Sequence, residues 1–310
     1  PQAVRAIRET APRAFIFENV KGLTRAAFAD YFAYIQTQLR CPEIALRPGE
    51  DWQCHYKRIV RSEKAPEMVG LRYRVVARLL NAANHGVPQK RERVVIVGFR
   101  ADLGIEWQPP AQTHSRDALI WSQCRDGAYW DRHSVAKAQW RVGDAWSKRA
   151  RALREKPEPS PWKTIRDAIS DLPDPRSKMA RAIANHRFQE GAKSYPGHTG
   201  SPIDEPAKTI KAGDHGVPGG ENMLALPDGS VRYFSVRETA RIQTFPDDYT
   251  FHGSWSESMR QLGNAVPVTL ARVVATSVWE QLQKASDSRN VQSPRQEESR
   301  AERRSGAAVH

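Results

Sequence analysis

The sequence predicts an α/β protein, and three observations carry that prediction. Ala14-Phe15-Ile16-Phe17 is a short, wholly apolar run, as expected of a strand buried on both faces of a sheet. Phe28, Tyr31, Phe32, Ile35 and Leu39 then recur at helical spacing. Tyr73-Arg74-Val75-Val76 and Val94-Val95-Ile96-Val97-Gly98-Phe99 return to strand character. Strand, helix, strand is the pattern of a doubly wound, mostly parallel sheet.

Ahead of the first strand, Val4 and Ile7 with Pro12 as a stop predict a short helix. After Phe99 the character changes. From about Glu106 to Arg232 the chain is rich in Pro, Gly, Asp and Arg and carries Trp107, Trp121, Trp130, Trp140, Trp146 and Trp162. This predicts a separate, loop-rich lobe with most of its tryptophans in its own core. Within it, the charged stretch 143–158 reads as a solvated helix or an insertion. Ser235 and Glu238 form a capping box that starts a helix through about Gln243. Pro267 suits a helix N-terminus, and Val268, Ala271, Val274, Val278 and Leu282 share one face, predicting a helix from Pro267 to about Lys284. Beyond Ala285 the chain has little to bury, which predicts disorder. The expected domains are therefore 1–105, 106–232, 233–284 and a tail at 285–310.

The chain has 310 residues, 39% of them hydrophobic, enough for a substantial core. No apolar run approaches the ~18 residues of a membrane span, and no charged-then-apolar leader opens the chain, so a cytoplasmic protein is expected. Cys41, Cys54 and Cys124 are scattered without metal-ligand spacing. That argues against a disulfide framework and a zinc site. The net charge is +13. A surplus of this size suits a polyanionic partner, most simply nucleic acid, or a merely basic surface.

Four short blocks carry the chemistry. Glu18-Asn19-Val20 follows a buried strand, where ligands of open α/β sheets bind. A glutamate there can be desolvated and fitted for proton donation, or can be a surface group in a turn. Gln89-Lys90-Arg91-Glu92-Arg93 follows a Gly86-Val87-Pro88 turn. Period-2 spacing sets Gln89, Arg91 and Arg93 on one side, either as a grip for phosphate and a base carbonyl or as the charged face of an edge strand. His85 reads as a structural or loop histidine. Arg237 and Arg241 lie one helical turn apart, ahead of Gln243-Thr244-Phe245-Pro246. Gly263-Asn264-Ala265-Val266-Pro267 ends at a helix N-terminus, a site of free N–H groups, or a simple turn. Glycines are dense in Gly213–Gly220, either for close approach to DNA or as a loop.

In this order and with the long stretch between the second and third, the blocks resemble the carboxy-terminal two thirds of a DNA cytosine-5 methyltransferase of the bacterial or phage restriction-modification type. The resemblance covers about Pro1 to Lys284. It implies part of an S-adenosylmethionine-dependent, Rossmann-like sheet with an inserted, loop-rich DNA target recognition domain at 106–232. It implies methyl transfer to C5 of a cytosine flipped out of duplex DNA, in the bacterial cytoplasm or nucleoid. Glu18 would hold the cytosine N3 and amine, Arg93 would reach the O2 and the glutamate, and Arg91, grouped with these catalytic residues, would with Gln89 handle backbone and loop contacts. Asn19, Gln89, Arg237 and Arg241 would serve the target base and DNA, the last two chiefly by organising the recognition lobe. Asn264, Ala265 and Val266 would line the S-adenosylmethionine pocket, with no metal.

The family's nucleophilic Pro-Cys loop and Gly-rich cofactor loop do not occur in this chain. The expectation is a piece of a longer enzyme, or one subunit of a split enzyme whose N-terminal partner polypeptide brings both, with an exposed sheet edge where the family's first strands pair. Two other readings stand beside it. One is a catalytically incompetent, sequence-specific DNA-binding subunit, and the other an RNA cytosine methyltransferase.

Overall fold

The computed structural model describes residues 2–65, 70–212, 222–226 and 228–305, with side chains to Ser286. The chain divides into two compact units, one of residues 1–79, 94–110 and 274–310, the other of residues 80–93 and 111–273. The predicted boundaries differ. The Gln89–Arg93 block and residues 233–273 fall in the same unit as most of the expected recognition lobe.

In unit 1, α1 (Gln2–Thr10) leads into β1 (Ala14–Val20), followed by α2 (Ala29–Arg40), α3 (Trp52–Glu63), β2 (Tyr73–Asn81) and β3 (Glu92–Arg100). The strands form one sheet in the order β1-β3-β2. The run from Val94 to Phe99 is buried throughout, which is why the β-branched stretch takes the central place. Arg100 N–H donates to the Arg13 carbonyl (3.0 Å) and Ala101 N–H to the Arg72 carbonyl (2.8 Å). The end of β3 therefore lies beside the starts of both neighbours, and β3 runs against both. The sheet is α/β as predicted, but β1 and β2 share a direction without touching. Gly98 sits against the Phe15 ring, where a Cβ would collide. Ile7, Phe15, Leu39, Tyr73, Val94 and Ile96 form the core, each large side chain contributing on the order of 1.5–3 kcal/mol. β1 lies at a sheet edge, with Ile16 42% and Val20 54% exposed.

In unit 2, β4 (His114–Ser115) pairs in parallel with β5 (Ser160–Pro161), around α4 (Arg116–Cys124), α5 (Ala128–Arg132) and α6 (Asp144–Ala152). α6 is the charged stretch, a helix. Tyr129, Trp130 and Trp162 are buried together, with Trp140 and Trp146 packed against them, so these tryptophans are core. Trp107 is not part of this cluster. It is buried in unit 1, and its indole N–H donates to Ser277 Oγ (3.1 Å). The unit continues through α7 (Ile165–Ile169), β6 (Ser201–Pro202), β7 (Met223–Ala225), β8 (Val231–Tyr233), α8 (Val236–Ile242) and α9 (Trp255–Asn264). Ile165, Ile210, Phe234, Ala240, Met259 and Leu262 are among the residues of its larger core. The last helix, α10, spans Val268–Ser305. It runs past Lys284 into the tail expected to be disordered. Among the described residues no helix is long and apolar enough to cross a membrane, and no cluster of potential ligands could hold a metal ion.

Candidate functional site

In unit 1, β1 delivers Glu18 and Asn19 at its carboxyl end. Both are exposed. Glu18 is thus not sealed from solvent, as a desolvated acid would require. Asn19 Oδ1 accepts from Val20 N–H (2.8 Å) and shapes the turn out of the strand. The two line a cavity of about 680 Å³ whose wall includes Tyr31, Tyr34, Trp52 and His55. His55 is fixed there. Its Nε2–H donates to the Ile44 carbonyl (2.8 Å), which leaves Nδ1 to accept from the Tyr34 hydroxyl (2.8 Å). Burial pushes the Tyr34 phenol above its ordinary value, so it remains a donor. The cavity is a rigid aromatic recess with a carboxylate at its rim, suited to a flat heterocycle.

In unit 2, residues from three of the sequence blocks converge. The Ala82–His85 turn ends at Gly86, whose φ of 81° needs glycine, and the chain then alternates sides. Gln89 and Arg91 point inward and are fully buried, while Lys90 pairs with Glu205 (3.1 Å). Arg91 donates to the carbonyls of Ile210 (2.8 Å) and Gly263 (2.6 Å). Gln89 Oε1 accepts from Ile210 N–H (3.0 Å), and Thr209 Oγ1 donates to the Lys90 carbonyl (2.7 Å). Gly263 lies flush against the Lys211–Ala212 backbone, leaving no room for a Cβ. Asn222 closes the same segment by bonding both Lys211 N–H and Lys211 carbonyl (3.1 and 3.0 Å). Gln89 and Arg91 therefore brace loops. Arg93, half-buried, is the next arginine of the block, with NH1 donating to the Glu92 carbonyl (2.9 Å).

The α8 arginines are also spent. The Ser235–Glu238 capping box forms as predicted. Glu238 in addition takes a two-pronged ion pair from Arg232 (2.7 and 2.6 Å), both partners buried. Arg237 is 1% exposed and donates to the carbonyls of Ala184, Pro246 and Tyr249. Arg241 grips both Asp247 oxygens (2.9 and 2.6 Å) and Asp171. A DNA contact through Arg237 is corrected by this geometry, since no face of it reaches solvent. Arg241, already held by two carboxylates, likewise supports structure.

Asn264 ends α9 and is exposed, with Ala265 and Val266 half-buried beyond it. The N-terminus of α10 is not a free anion site. Val268 N–H donates to the Gln243 carbonyl (3.0 Å), and Thr269 N–H to Thr244 Oγ1 (2.9 Å). Thr244 takes the left-handed φ of 59° that stops α8, and so joins two helices. Thr244, Thr209 and Asn222 are structural members of the site that sequence reasoning missed. Thr244 lay in the third block and Thr209 in the stretch Asp204–Ile210, which resembles a segment common in bacterial family members, but neither was given this role. The Gly213–Gly220 segment lies outside the described residues.

None of the thiols is activated. Burial pushes the Cys41 and Cys124 thiols up, and a hydrogen bond to Asp51 raises that of Cys54. A nucleophile needs the opposite shift.

Comparison with known proteins adds three findings. The family model described as C-5 cytosine-specific DNA methylase matches residues 55–280. The chain is 28% identical over 299 residues to Type II methyltransferase M.BsuRI of Bacillus subtilis, covering 89% of this chain and 51% of that protein. It is 27% identical over 305 residues to Type II methyltransferase M.MthTI of Methanothermobacter thermautotrophicus, covering 90% and 70%. The chain thus spans about half the length of the first relative and 70% of the second. A solved structure of a prophage-encoded DNA modification methyltransferase of E. coli aligns over 90% of this chain and 72% of its own, with a TM-score of 0.48 and 14% identity.

Proposed function

We propose, from the premise that this chain belongs to the C-5 cytosine-specific DNA methylase family, that it forms part of an enzyme methylating C5 of a cytosine extruded from duplex DNA. The observation that carries the reading is Glu18, set at the carboxyl end of β1 on the rim of an aromatic recess. In this reading the Glu18 carboxyl holds the cytosine N3 and its amine, and Arg93 takes the O2. Protonation at N3 draws electron density from C6 and opens it to attack by a thiolate. Addition breaks the C5=C6 double bond and makes C5 the methyl acceptor; loss of the C5 proton and expulsion of the thiolate then restore the ring.

Neither the thiolate nor a full cradle for the methyl donor comes from the described residues. The three thiols are raised, and the first N–H groups of α10 are already occupied, which leaves the Asn264 amide as a peripheral contact for S-adenosylmethionine. The donor, when bound, supplies the methyl group. This chain's part is to hold the base at the Glu18 recess and present DNA to the site. The nucleophile and the donor's main cradle would come from residues that precede Pro1 in a longer chain, or from a separate N-terminal polypeptide. We assign the protein to DNA modification of the restriction-modification kind.

The test is transfer from labelled S-adenosylmethionine to mixed-sequence duplex DNA, with this chain alone and with the polypeptide encoded immediately upstream. Activity only with the partner is expected. In the active complex, Glu18→Gln should lower methylation by roughly a hundredfold or more while changing DNA affinity little. Equal loss of both would remove Glu18 from the chemistry. Tight sequence-specific binding with no methylation in either arm would favour a DNA-binding subunit. Preference for transfer RNA over duplex in competition would favour an RNA methyltransferase.

A further inference from the structure

The arginines that the motifs nominate for DNA are spent inside unit 2, so its DNA-facing groups lie elsewhere. Between Pro175 and Ile203 the chain carries Arg176, Lys178, Arg181, Arg187 and Lys193 against one acidic residue, Glu190. The segment has little regular structure, yet it is pinned. The Arg176 guanidinium lies 4.1 Å over the Phe188 ring. Arg187 donates to the carbonyls of Ala180 (2.9 Å) and Arg181 (2.8 Å). Asn185 exchanges two hydrogen bonds with the Phe251 backbone (2.9 and 2.8 Å). His186 bridges the Pro173 carbonyl and Ser235 Oγ.

Beyond these pins the chain rises into a tight turn. Tyr195 and His198 exchange backbone hydrogen bonds (3.4 and 2.8 Å). Pro196 presets the second position, and Gly197 supplies the φ of 83° that the third demands, as in a type II turn. The Tyr195 and His198 rings pack at 4.4 Å and 33°. Tyr195 remains 53% exposed. Lys208 is drawn beside the turn, its Nζ donating to Thr199 Oγ1 (3.3 Å) and its N–H to Ser201 Oγ (3.0 Å). A lone exposed tyrosine would be unremarkable. Here the ring is held out by a hydrogen-bonded turn and backed by a second ring, with Lys208 drawn beside the turn and Lys193 two residues ahead of it in the chain, so little ordering entropy remains to be lost on contact.

We propose that the Tyr195–His198 turn is the part of unit 2 that enters a groove of duplex DNA, with the Tyr195 ring against a base or sugar face and Lys193 and Lys208 at flanking phosphates. In a groove an aromatic ring packs against base edges and sugars, and lysines follow the backbone. The proposal rests on the DNA reading above and names the surface that executes it.

The test is fluorescence anisotropy of a labelled mixed-sequence duplex with the full chain. Tyr195→Ala should weaken binding by at least about tenfold with an unchanged thermal midpoint. Lys193→Ala should lower the slope of log Kd against log salt by about 1. Trp279→Ala, which removes an equally exposed ring on α10, should change neither. Tyr195→Ala and Lys193→Ala binding like the unsubstituted chain would overturn the turn assignment and leave the DNA reading standing. An unsubstituted chain that binds no duplex would overturn both.

Discussion

Arg91 holds two carbonyls that belong to distant stretches of sequence, and nothing smaller or less forked can do so. A lysine is a single point charge on a flexible stem and cannot reach Ile210 and Gly263 together. Arg91→Lys should leave one buried carbonyl unpaired and cost about 1–3 kcal/mol, read as a lower urea midpoint. An unchanged midpoint would remove Arg91 from the bracing role. Two histidines of the same unit contribute to its response to acid. His85 is 4% exposed, and Gly86 lies against the His114 ring. Burial lowers both imidazoles from 6.5, with Lys163 and His85 adding to the effect at His114. Each therefore resists in the fold a proton that the unfolded chain accepts, so stability is full above pH 6.5 and falls as pH drops below it. His114→Gln should flatten the loss of thermal midpoint between neutral pH and about pH 5. An identical slope would place the acid response in the carboxylates.

At the scale of elements, capping chemistry explains which helices could be foreseen. Ser235-x-x-Glu238 was legible and forms the predicted box at α8. Ser254-x-x-Glu257 has the same signature and caps α9, a helix the sequence reading did not draw. Asp51 likewise caps α3 through Cys54 N–H (2.7 Å). Strand existence was legible from apolar runs, but strand direction was not, because a run buried on both faces looks the same whichever way its neighbours point. The contact between the 263 turn and the 211–212 backbone was also invisible. It depends on a missing side chain meeting main chain, and main chain leaves no pattern in sequence. Gly263→Ala should push the segments apart and cost about 1–3 kcal/mol, measured by thermal unfolding. A neutral result would show that the turn can slide.

At the scale of the molecule, chemical identity and spatial role separate in an instructive way. The motif residues Gln89, Arg91, Arg237 and Arg241 were all found by their types and spacing. The burial of Gln89, Arg91 and Arg237 was not, because a guanidinium that grips a phosphate and one that grips backbone carbonyls have the same letter in the sequence. In the proposed reading the excess charge of +13 acts on nucleic acid through groups outside these motifs, and the 175–208 stretch is one part of unit 2 where basic residues outnumber acids.

The Arg91 clamp carries a further consequence, one of order in time. Its two bonds join residues 119 and 172 positions apart. Contacts that close such long loops draw no return until most of the intervening chain is already in place. Unit 2 should then nucleate in its local helices and acquire this clamp after the rate-limiting step. Weakening it would hasten unfolding while leaving refolding nearly as fast, so the same lock that sets the loops around Gly263 would govern how long the assembled unit survives rather than how quickly it is made.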